Sequence, residues 1–136
     1  MLFRSEAHGV SAAVVVLDLP REEIDRRIAN RVDRMVERGL EQEVRGLLDA
    51  GYAEDAPGMS GTGYREMSRY VRGEVTLEEA KDEISGNTRR YARRQWTWFR
   101  HQLPEHTVII DASQTVDQQA EQALHALNLQ TIEGSE

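Results

Sequence analysis

The chain has 136 residues, which is enough for one domain with a buried core and leaves little room for a second. Its 39% hydrophobic and 30% charged residues, with a net charge of -7, exclude a disordered or membrane-embedded protein, and the absence of cysteine excludes disulfides and thiolate metal sites. Because no apolar run approaches the roughly 20 residues of a membrane span and the start shows no secretory pattern, we expect a cytoplasmic protein.

The first predicted elements are a strand and two helices. The apolar, β-branched run from Ala12 to Pro20 predicts a buried strand. Apolar residues then recur at helical spacing, with acidic residues in the first turn and Gly39 at the end, so we predict a helix between Pro20 and Gly39. A second helix is expected from about Leu40 to Ala50, with Gly51 as its stop.

The middle of the chain predicts a loop and two more helices. Glycines and a proline make Ala53 to Gly63 a loop, and a short helix is expected around Tyr64 to Val71. Thr76 and Glu79 match the capping-box pattern, with a hydroxyl at the N-cap and a glutamate three residues later. A long helix should therefore begin at this point and run to about His101.

The last predicted elements are a strand at Thr107 to Asp111 and an amphipathic helix at Val116 to Leu127. Two apolar strands so far apart in the chain would form at most a two-stranded parallel sheet, whereas parallel strands normally lie in larger sheets that are covered on both faces. The predicted fold class is therefore α/β: mainly helical, with two short parallel-type strands that belong to a larger sheet.

The long helix contains a strongly basic segment. Between Ile84 and Pro104 there are five arginines and no acidic residue, which is typical of a site that faces a polyanion. Guanidinium groups bind phosphate, and aromatic rings stack on unpaired bases.

The alternative to a polyanion-binding helix is a core helix with a solvated basic face. At helical spacing, two cationic rows flank the expected packed face: Arg89 with Arg93, and Arg90 with Arg94. The packed face should comprise Ile84, Thr88, Tyr91, Gln95 and Trp98, with Trp96 on another side.

A second row of arginines lies along the first helix, at Arg27, Arg31, Arg34 and Arg38. This row could bind phosphate. It could equally be an ordinary surface row, since Glu23 precedes Arg27 by four residues and can pair with it.

A glycine-rich turn at Gly61 to Glu66 precedes the short helix. Backbone N–H groups there could bind an anion, although such a stretch is usually only a turn. The sequence has no G-x-x-x-x-G-K-[ST] phosphate loop and no G-x-G-x-x-G motif. Its four histidines show neither metal-ligand spacing nor a Ser/His/Asp arrangement.

Four segments stand in a fixed order along the chain: PREEIDRRIANRVDRMVERGLEQEV, PGMSGTGYREM, GEVTLEEA and NTRRYARRQWTWFR. Together they resemble the C-terminal half of the bacterial tRNA dimethylallyltransferase (isopentenyltransferase) family, over roughly Val14 to Asp111. Four spaced motifs are far more specific than any one of them.

The resemblance implies a transferase domain related to the P-loop nucleotide-binding (ATP-binding) proteins. It implies transfer of a dimethylallyl group from dimethylallyl diphosphate to N6 of an anticodon-loop adenine in tRNA, with Mg²⁺ as the cofactor of the complete enzyme. Residues 1–136 would form the C-terminal part of that domain. The phosphate loop, the general-base aspartate and the tRNA-gripping insertion would belong to a missing N-terminal half, so we expect no catalytic residue and no bound metal in this chain. From the lack of an apolar span we also expect no membrane partner.

The resemblance also implies roles for particular residues. Arg31, and Arg27 before it, match the arginines that face the diphosphate, and Gly63, Tyr64 and Arg65 match a G-Y-[RK] turn near the substrate channel. The residues expected at the tRNA are Arg89, Arg90, Arg93, Arg94 and Gln95. Thr62 and Gly86 depart from the family pattern, which usually has an aliphatic residue at the first and a longer side chain at the second.

Two other readings stay open. The chain could be a stand-alone helical RNA-binding module without catalytic activity. It could also be a protein-interaction fragment whose basic, aromatic helix binds an acidic partner.

Overall fold

The computed structural model describes residues 14–104 and 107–133, with the backbone alone for residues 127–133. Ala12 and Ala13, at the start of the first predicted strand, lie outside the described residues. None of the helices in these ranges is both long and apolar enough to cross a membrane. The elements in chain order are β1 Val15–Asp18, α1 Arg21–Glu37, α2 Leu40–Asp49, α3 Tyr64–Val71, α4 Leu77–Gln102, β2 Val108–Asp111 and α5 Val116–Glu133.

The predicted fold class is confirmed: the protein is mainly helical and has two short parallel strands. The order of the elements is also as predicted, and α4 runs without interruption through Gly86. The closing helix was predicted to end at Leu127, but α5 continues to Glu133. No glycine or proline stands between Val116 and Gly134 to end it earlier.

The described chain forms two compact units. The helical unit is Glu22–Gln95, which contains nearly all of α1, all of α2 and α3, and most of α4. The strand unit comprises residues 14–21, 96–104 and 107–133, and contains β1, β2, α5 and the end of α4.

The core of the helical unit contains residues from all four of its helices. Each of these helices presents an apolar stripe, as expected for elements that bury one face. The buried cluster consists of Val32, Leu40, Val44, Met67 and Ile84.

Helix α4 begins with the predicted capping box. The backbone N–H of Thr76 donates to Glu79 Oε2 at 2.7 Å, and the N–H of Glu79 donates to Thr76 Oγ1 at 3.2 Å. The bond from the Thr76 N–H and, after it, the Thr76 hydroxyl lower the pKa of the Glu79 carboxyl. An ion pair joins α4 to α1, because Lys81 Nζ lies 2.7 Å from Asp33 Oδ1. The same amine lies 3.2 Å from Glu78 Oε1 on α4 itself.

The strand unit contains a two-stranded parallel sheet in which Val15 pairs with Val108 and Asp18 pairs with Asp111. We predicted buried strands, and this is only partly correct. On β2 the side chain of Ile110 is 1% exposed whereas that of Ile109 is 67% exposed. Helix α5 packs against β2, and successive strand residues point to opposite faces, so only one face of the strand is covered.

The predicted packed face of α4 is correct only for its first half. Ile84 is buried and Thr88 is half-buried, but Tyr91 is 55% exposed and Trp98 is 54% exposed. The core reaches α4 only as far as Ile84, so the side chains further along the same stripe have no core to enter. Trp96 is exposed as well.

The exposed aromatic residues at the end of α4 contact one another and a neighbouring cation. The rings of Trp98 and Phe99 meet edge to face with their centroids 5.3 Å apart. The guanidinium carbon of Arg100 lies 4.4 Å from the centre of the Trp96 ring.

Burial therefore predicts very different stability effects for two large side chains. Met67→Ala should lower the free energy of unfolding by about 2–5 kcal/mol, because it empties a site at the centre of the core. Trp98→Ala should cost no more than about 1.5 kcal/mol, the size of a ring-pair contribution. Urea unfolding followed by circular dichroism measures both. A larger loss for Trp98→Ala would contradict the exposure of its ring.

Candidate anion-binding site

The predicted site residues of α1, the turn before α3 and α4 all lie in the helical unit, where these three segments surround a small cleft of about 150 Å³. The buried part of its lining is apolar and includes Ile28, Val32 and Ile84. Its exposed members carry a guanidinium, a hydroxyl and a phenol: Arg31, Thr62 and Tyr91. Half-buried Met35 and Thr88 complete the lining. The cleft thus combines an apolar wall with one cation and several hydrogen-bonding groups.

Arg31 lies beside the buried stripe of helix α1. Ile28 and Val32 face the core, which leaves Arg31 exposed at the edge of the cleft. Further along the same surface, arginines surround a shallow depression together with Asn30 and Met35: Arg26, Arg27, Arg31, Arg34 and Arg38.

Two of these arginines are already bound to a carboxylate. Arg27 Nε donates to Glu23 Oε1 at 2.8 Å, and Arg26 donates to both Glu23 oxygens at 2.8 Å. These bonds, that from Arg27 first, lower the pKa of Glu23. Arg27 therefore forms the surface ion pair with Glu23 that the sequence analysis gave as the alternative to phosphate binding. It still lies beside Arg31 in the depression.

The turn before α3 depends on glycine at position 63. Gly63 has φ of 104°, a conformation that side chains rarely adopt. A Cβ there would lie 3.2 Å from Met35 Cε. Glycine thus lets the turn approach α1 closely, and it brings the neighbouring Thr62 to the cleft.

The other two members of the predicted turn do not line the cleft. The Tyr64 phenol donates to Glu43 Oε1 on α2 at 2.6 Å, and this bond raises the pKa of Tyr64. Arg65 is exposed. Of the G-Y-R turn, therefore, Gly63 shapes the cleft and Tyr64 anchors the turn to α2.

The basic residues of α4 lie beside and beyond the cleft. Arg89 is half-buried, and Arg90, Arg93, Arg94 and Gln95 are exposed. Two of them contact Tyr91: the guanidinium carbon of Arg94 is 5.9 Å from its ring centre, and Gln95 Nε2 is 3.3 Å from its hydroxyl oxygen. The tyrosine of the cleft thus shares its surroundings with the tRNA-binding candidates.

The sequence reasoning missed two residues of this region, Glu66 and Asn87. Glu66 is buried, and its Oε2 accepts the N–H of Gly63 at 2.9 Å. Its Oε1 accepts the side-chain amide of Asn87 on α4. A signal for the first bond existed, because Glu66 stands three residues after Gly63, the capping-box spacing. Nothing local could have indicated the second.

In the helical unit, arginines divide by whether they have a carboxylate partner. Ion pairs hold Arg26, Arg27, Arg45, Arg69 and Arg72. Among the described residues, no carboxylate lies within ion-pair distance of the following: Arg31, Arg34, Arg38, Arg65, Arg89, Arg90 and Arg94. All seven belong to the predicted rows or to the predicted turn. The described residues also contain no group of three or more His, Cys, Asp or Glu that could hold a metal ion.

Comparisons with known proteins find one family. Residues 3–102 match the model of IPP transferases. The chain is 47% identical over 101 residues to a tRNA dimethylallyltransferase of Thermobifida fusca, covering 74% of this chain and 32% of that protein. It is 49% identical over 86 residues to the tRNA dimethylallyltransferase of Syntrophobacter fumaroxidans, covering 63% of this chain and 25% of that protein.

The fold is also that of solved tRNA isopentenylpyrophosphate transferases. The Bacillus halodurans protein superposes with a TM-score of 0.75 at 33% identity, covering 96% of this chain and 45% of that one. The Staphylococcus epidermidis protein gives a TM-score of 0.74 at 28% identity, covering 85% and 37%. The chain thus spans about a quarter to a third of these two sequence relatives and less than half of these two structures.

Proposed function

Because the chain belongs to the IPP transferase family, we propose that it forms the C-terminal part of an enzyme that transfers a dimethylallyl group to tRNA. The donor is dimethylallyl diphosphate and the acceptor is N6 of an adenine in the anticodon loop, in the cytoplasm. Residues 1–136 act together with an N-terminal half that supplies the nucleotide-binding phosphate loop and the general base.

The observation that carries this proposal is the distribution of unpaired arginines. The chain has 24 acidic and 17 basic residues, so carboxylates are plentiful. Seven arginines nevertheless have no carboxylate within ion-pair distance among the described residues of the helical unit, and all belong to the α1 row, the turn or the α4 rows: Arg31, Arg34, Arg38, Arg65, Arg89, Arg90 and Arg94. Such cations keep their full charge for an anion from outside.

The arginines of α1 and the arginines of α4 bind different substrates, the first the diphosphate donor and the second the tRNA. Arg31 lies at an apolar cleft, which suits a small donor that has an apolar group and a diphosphate, and Arg27 supports it from the adjacent depression. Gly63, Tyr64 and Arg65 form the turn near this channel. The basic face of α4 binds tRNA phosphates: Arg89, Arg90, Arg93 and Arg94, with Gln95 beside them.

The residues that the structure describes do not fit a Mg²⁺ site. They contain no group of three or more His, Cys, Asp or Glu that could hold a metal ion, so we assign the Mg²⁺ of the complete enzyme to the N-terminal half. No catalytic residue is assigned within residues 1–136.

Binding of the purified chain to fluorescent tRNA tests the proposal. We expect binding that weakens steeply as the salt concentration is raised, and an unlabelled anticodon stem-loop should compete with the fluorescent tRNA. An unrelated acidic protein of similar net charge is the control and should not compete. Equal competition by the acidic protein would favour a protein-interaction fragment. Binding of tRNA without any activity after the N-terminal half is restored would favour a stand-alone RNA-binding module.

A further inference from the structure

A continuous set of hydrogen bonds links the turn before α3 to an exposed arginine of α4. The backbone N–H of Gly63 donates to Glu66 Oε2, and the side-chain amide of Asn87 donates to Glu66 Oε1. On its other side, Asn87 Oδ1 accepts a bond from the guanidinium of Arg90. Glu66 is 6% exposed, so the carboxylate at the centre of this set is shielded from solvent.

The chemistry of the partners fixes the direction of every bond. A carboxylate can only accept and a guanidinium can only donate, so the residue between them must do both. The amide of Asn87 does so, with its nitrogen toward Glu66 and its oxygen toward Arg90. A neutral amide also orients the arginine without cancelling its charge, unlike the Glu23 carboxylate that holds both Arg26 and Arg27.

Capping of α3 does not by itself explain a buried carboxylate. The bond to the Gly63 N–H needs one oxygen, and a glutamine serves that purpose in capping boxes as well as a glutamate does. Burying a charged group is unfavourable unless its oxygens are hydrogen-bonded. Among the described residues, the other oxygen of Glu66, Oε1, accepts a bond only from Asn87. The contact with α4 is therefore the reason that position 66 needs a carboxylate.

We propose that Glu66, acting through Asn87, is a positioning residue that holds Arg90 ready to bind a tRNA phosphate. An arginine that is already oriented loses less rotamer freedom when it binds, which raises its contribution to affinity. The inference rests on the proposed function, because it takes the ligand of Arg90 to be tRNA.

The decisive variant is Glu66→Gln. It preserves shape and the cap, but it places an amide nitrogen against the nitrogen of Asn87. Asn87 can relieve this only by rotating its amide, which turns its nitrogen toward the Arg90 guanidinium and breaks that bond. Glu83→Gln is the matched control, since Glu83 lies on the same helix α4 as Asn87 and Arg90, is bound by Arg69, and carries the same charge.

A double-mutant cycle on the 136-residue chain measures the coupling between Glu66 and Arg90. We expect Glu66→Gln to weaken binding of the labelled anticodon stem-loop by about threefold to tenfold relative to Glu83→Gln, at a temperature well below unfolding. In an Arg90→Gln background it should have no further effect. If Glu66→Gln weakens binding equally in both backgrounds, Glu66 has only a structural role and the inference is wrong while the proposed function stands. If Arg90→Gln alone leaves binding unchanged, the tRNA role of Arg90 fails and the inference fails with it.

A second variant keeps the inference testable if Glu66→Gln is poorly folded. The pair E66Q/N87D restores a donor opposite an acceptor at each junction, from the turn to Arg90. Its melting temperature should exceed that of E66Q and of N87D, because the latter sets two carboxylates against each other. A double variant less stable than both single variants would show that the Glu66 carboxylate is not needed for the hydrogen bond to Asn87, and the inference would be wrong.

Discussion

Purified alone, the 136-residue chain should transfer no dimethylallyl group to tRNA. Departure of diphosphate requires preorganised groups that stabilise its charge, and the adenine amino group requires a base. A phosphate loop would supply backbone N–H groups and a lysine, but the sequence contains no such motif, and Lys81 is held between Asp33 and Glu78. Arg31 is left at the cleft, and a single guanidinium cannot replace that set of groups. An assay with radiolabelled donor measures the transfer, and turnover by the purified chain would overturn this interpretation.

The same assay should show activity once the N-terminal half is supplied. In that restored enzyme, Arg31→Gln removes a charge-assisted contact to the diphosphate and should lower kcat/KM for the donor by about tenfold to a hundredfold. Its effect on tRNA affinity should be smaller. Arg45→Gln is the matched control, because Arg45 is exposed and already paired with Glu41. If Arg31→Gln and Arg45→Gln lower kcat/KM for the donor equally, or if Arg31→Gln lowers only tRNA affinity, Arg31 does not bind the diphosphate donor.

The second large effect should appear in the salt dependence of tRNA binding. Each phosphate contact contributes about 0.7–0.9 to the slope of log K against log salt, so the triple variant R89Q/R93Q/R94Q should flatten that slope by about two units. Titrations of labelled tRNA at four or five salt concentrations give the slope. The triple variant R45Q/R69Q/R72Q removes the same charge from arginines that carboxylates already hold, and it should leave the slope nearly unchanged.

An unchanged slope in the first variant would support the other interpretation of α4, a helix with a solvated basic face. Equal flattening in both variants would show that net charge, rather than the α4 surface, governs the affinity.

Local sequence patterns were enough to predict the elements and their order. Apolar spacing identified α1 and α2, and the pair Thr76 and Glu79 located the start of α4 within a residue. These signals act between residues a few positions apart, so they can be recognised in the sequence without knowledge of the fold. For the same reason the ion pair between Glu23 and Arg27 could be anticipated from their spacing alone.

Burial along a helix was less predictable. Helical spacing correctly placed Ile84 and Trp98 on one stripe, but it could not show that the core stops at Ile84. Where a stripe leaves the core depends on the helices packed against it, which are distant in sequence. The link from Glu66 to Asn87 escaped prediction for this reason too, since the two side chains are 21 positions apart and meet only in the folded chain.

The attachment of Lys81 to α1 has a practical consequence for labelling. Lys81 is the only lysine, so apart from the terminal amine it is the one target of amine-directed dyes, cross-linkers and surface coupling. Its contacts with Asp33 and Glu78 raise the pKa of its amine, which lowers the unprotonated, reactive fraction at a given pH. Acylation would abolish its charge and break its ion pair with Asp33 on α1. Reporters for the binding experiments are therefore best carried by the RNA, or by an introduced cysteine, which would be the sole thiol in the chain.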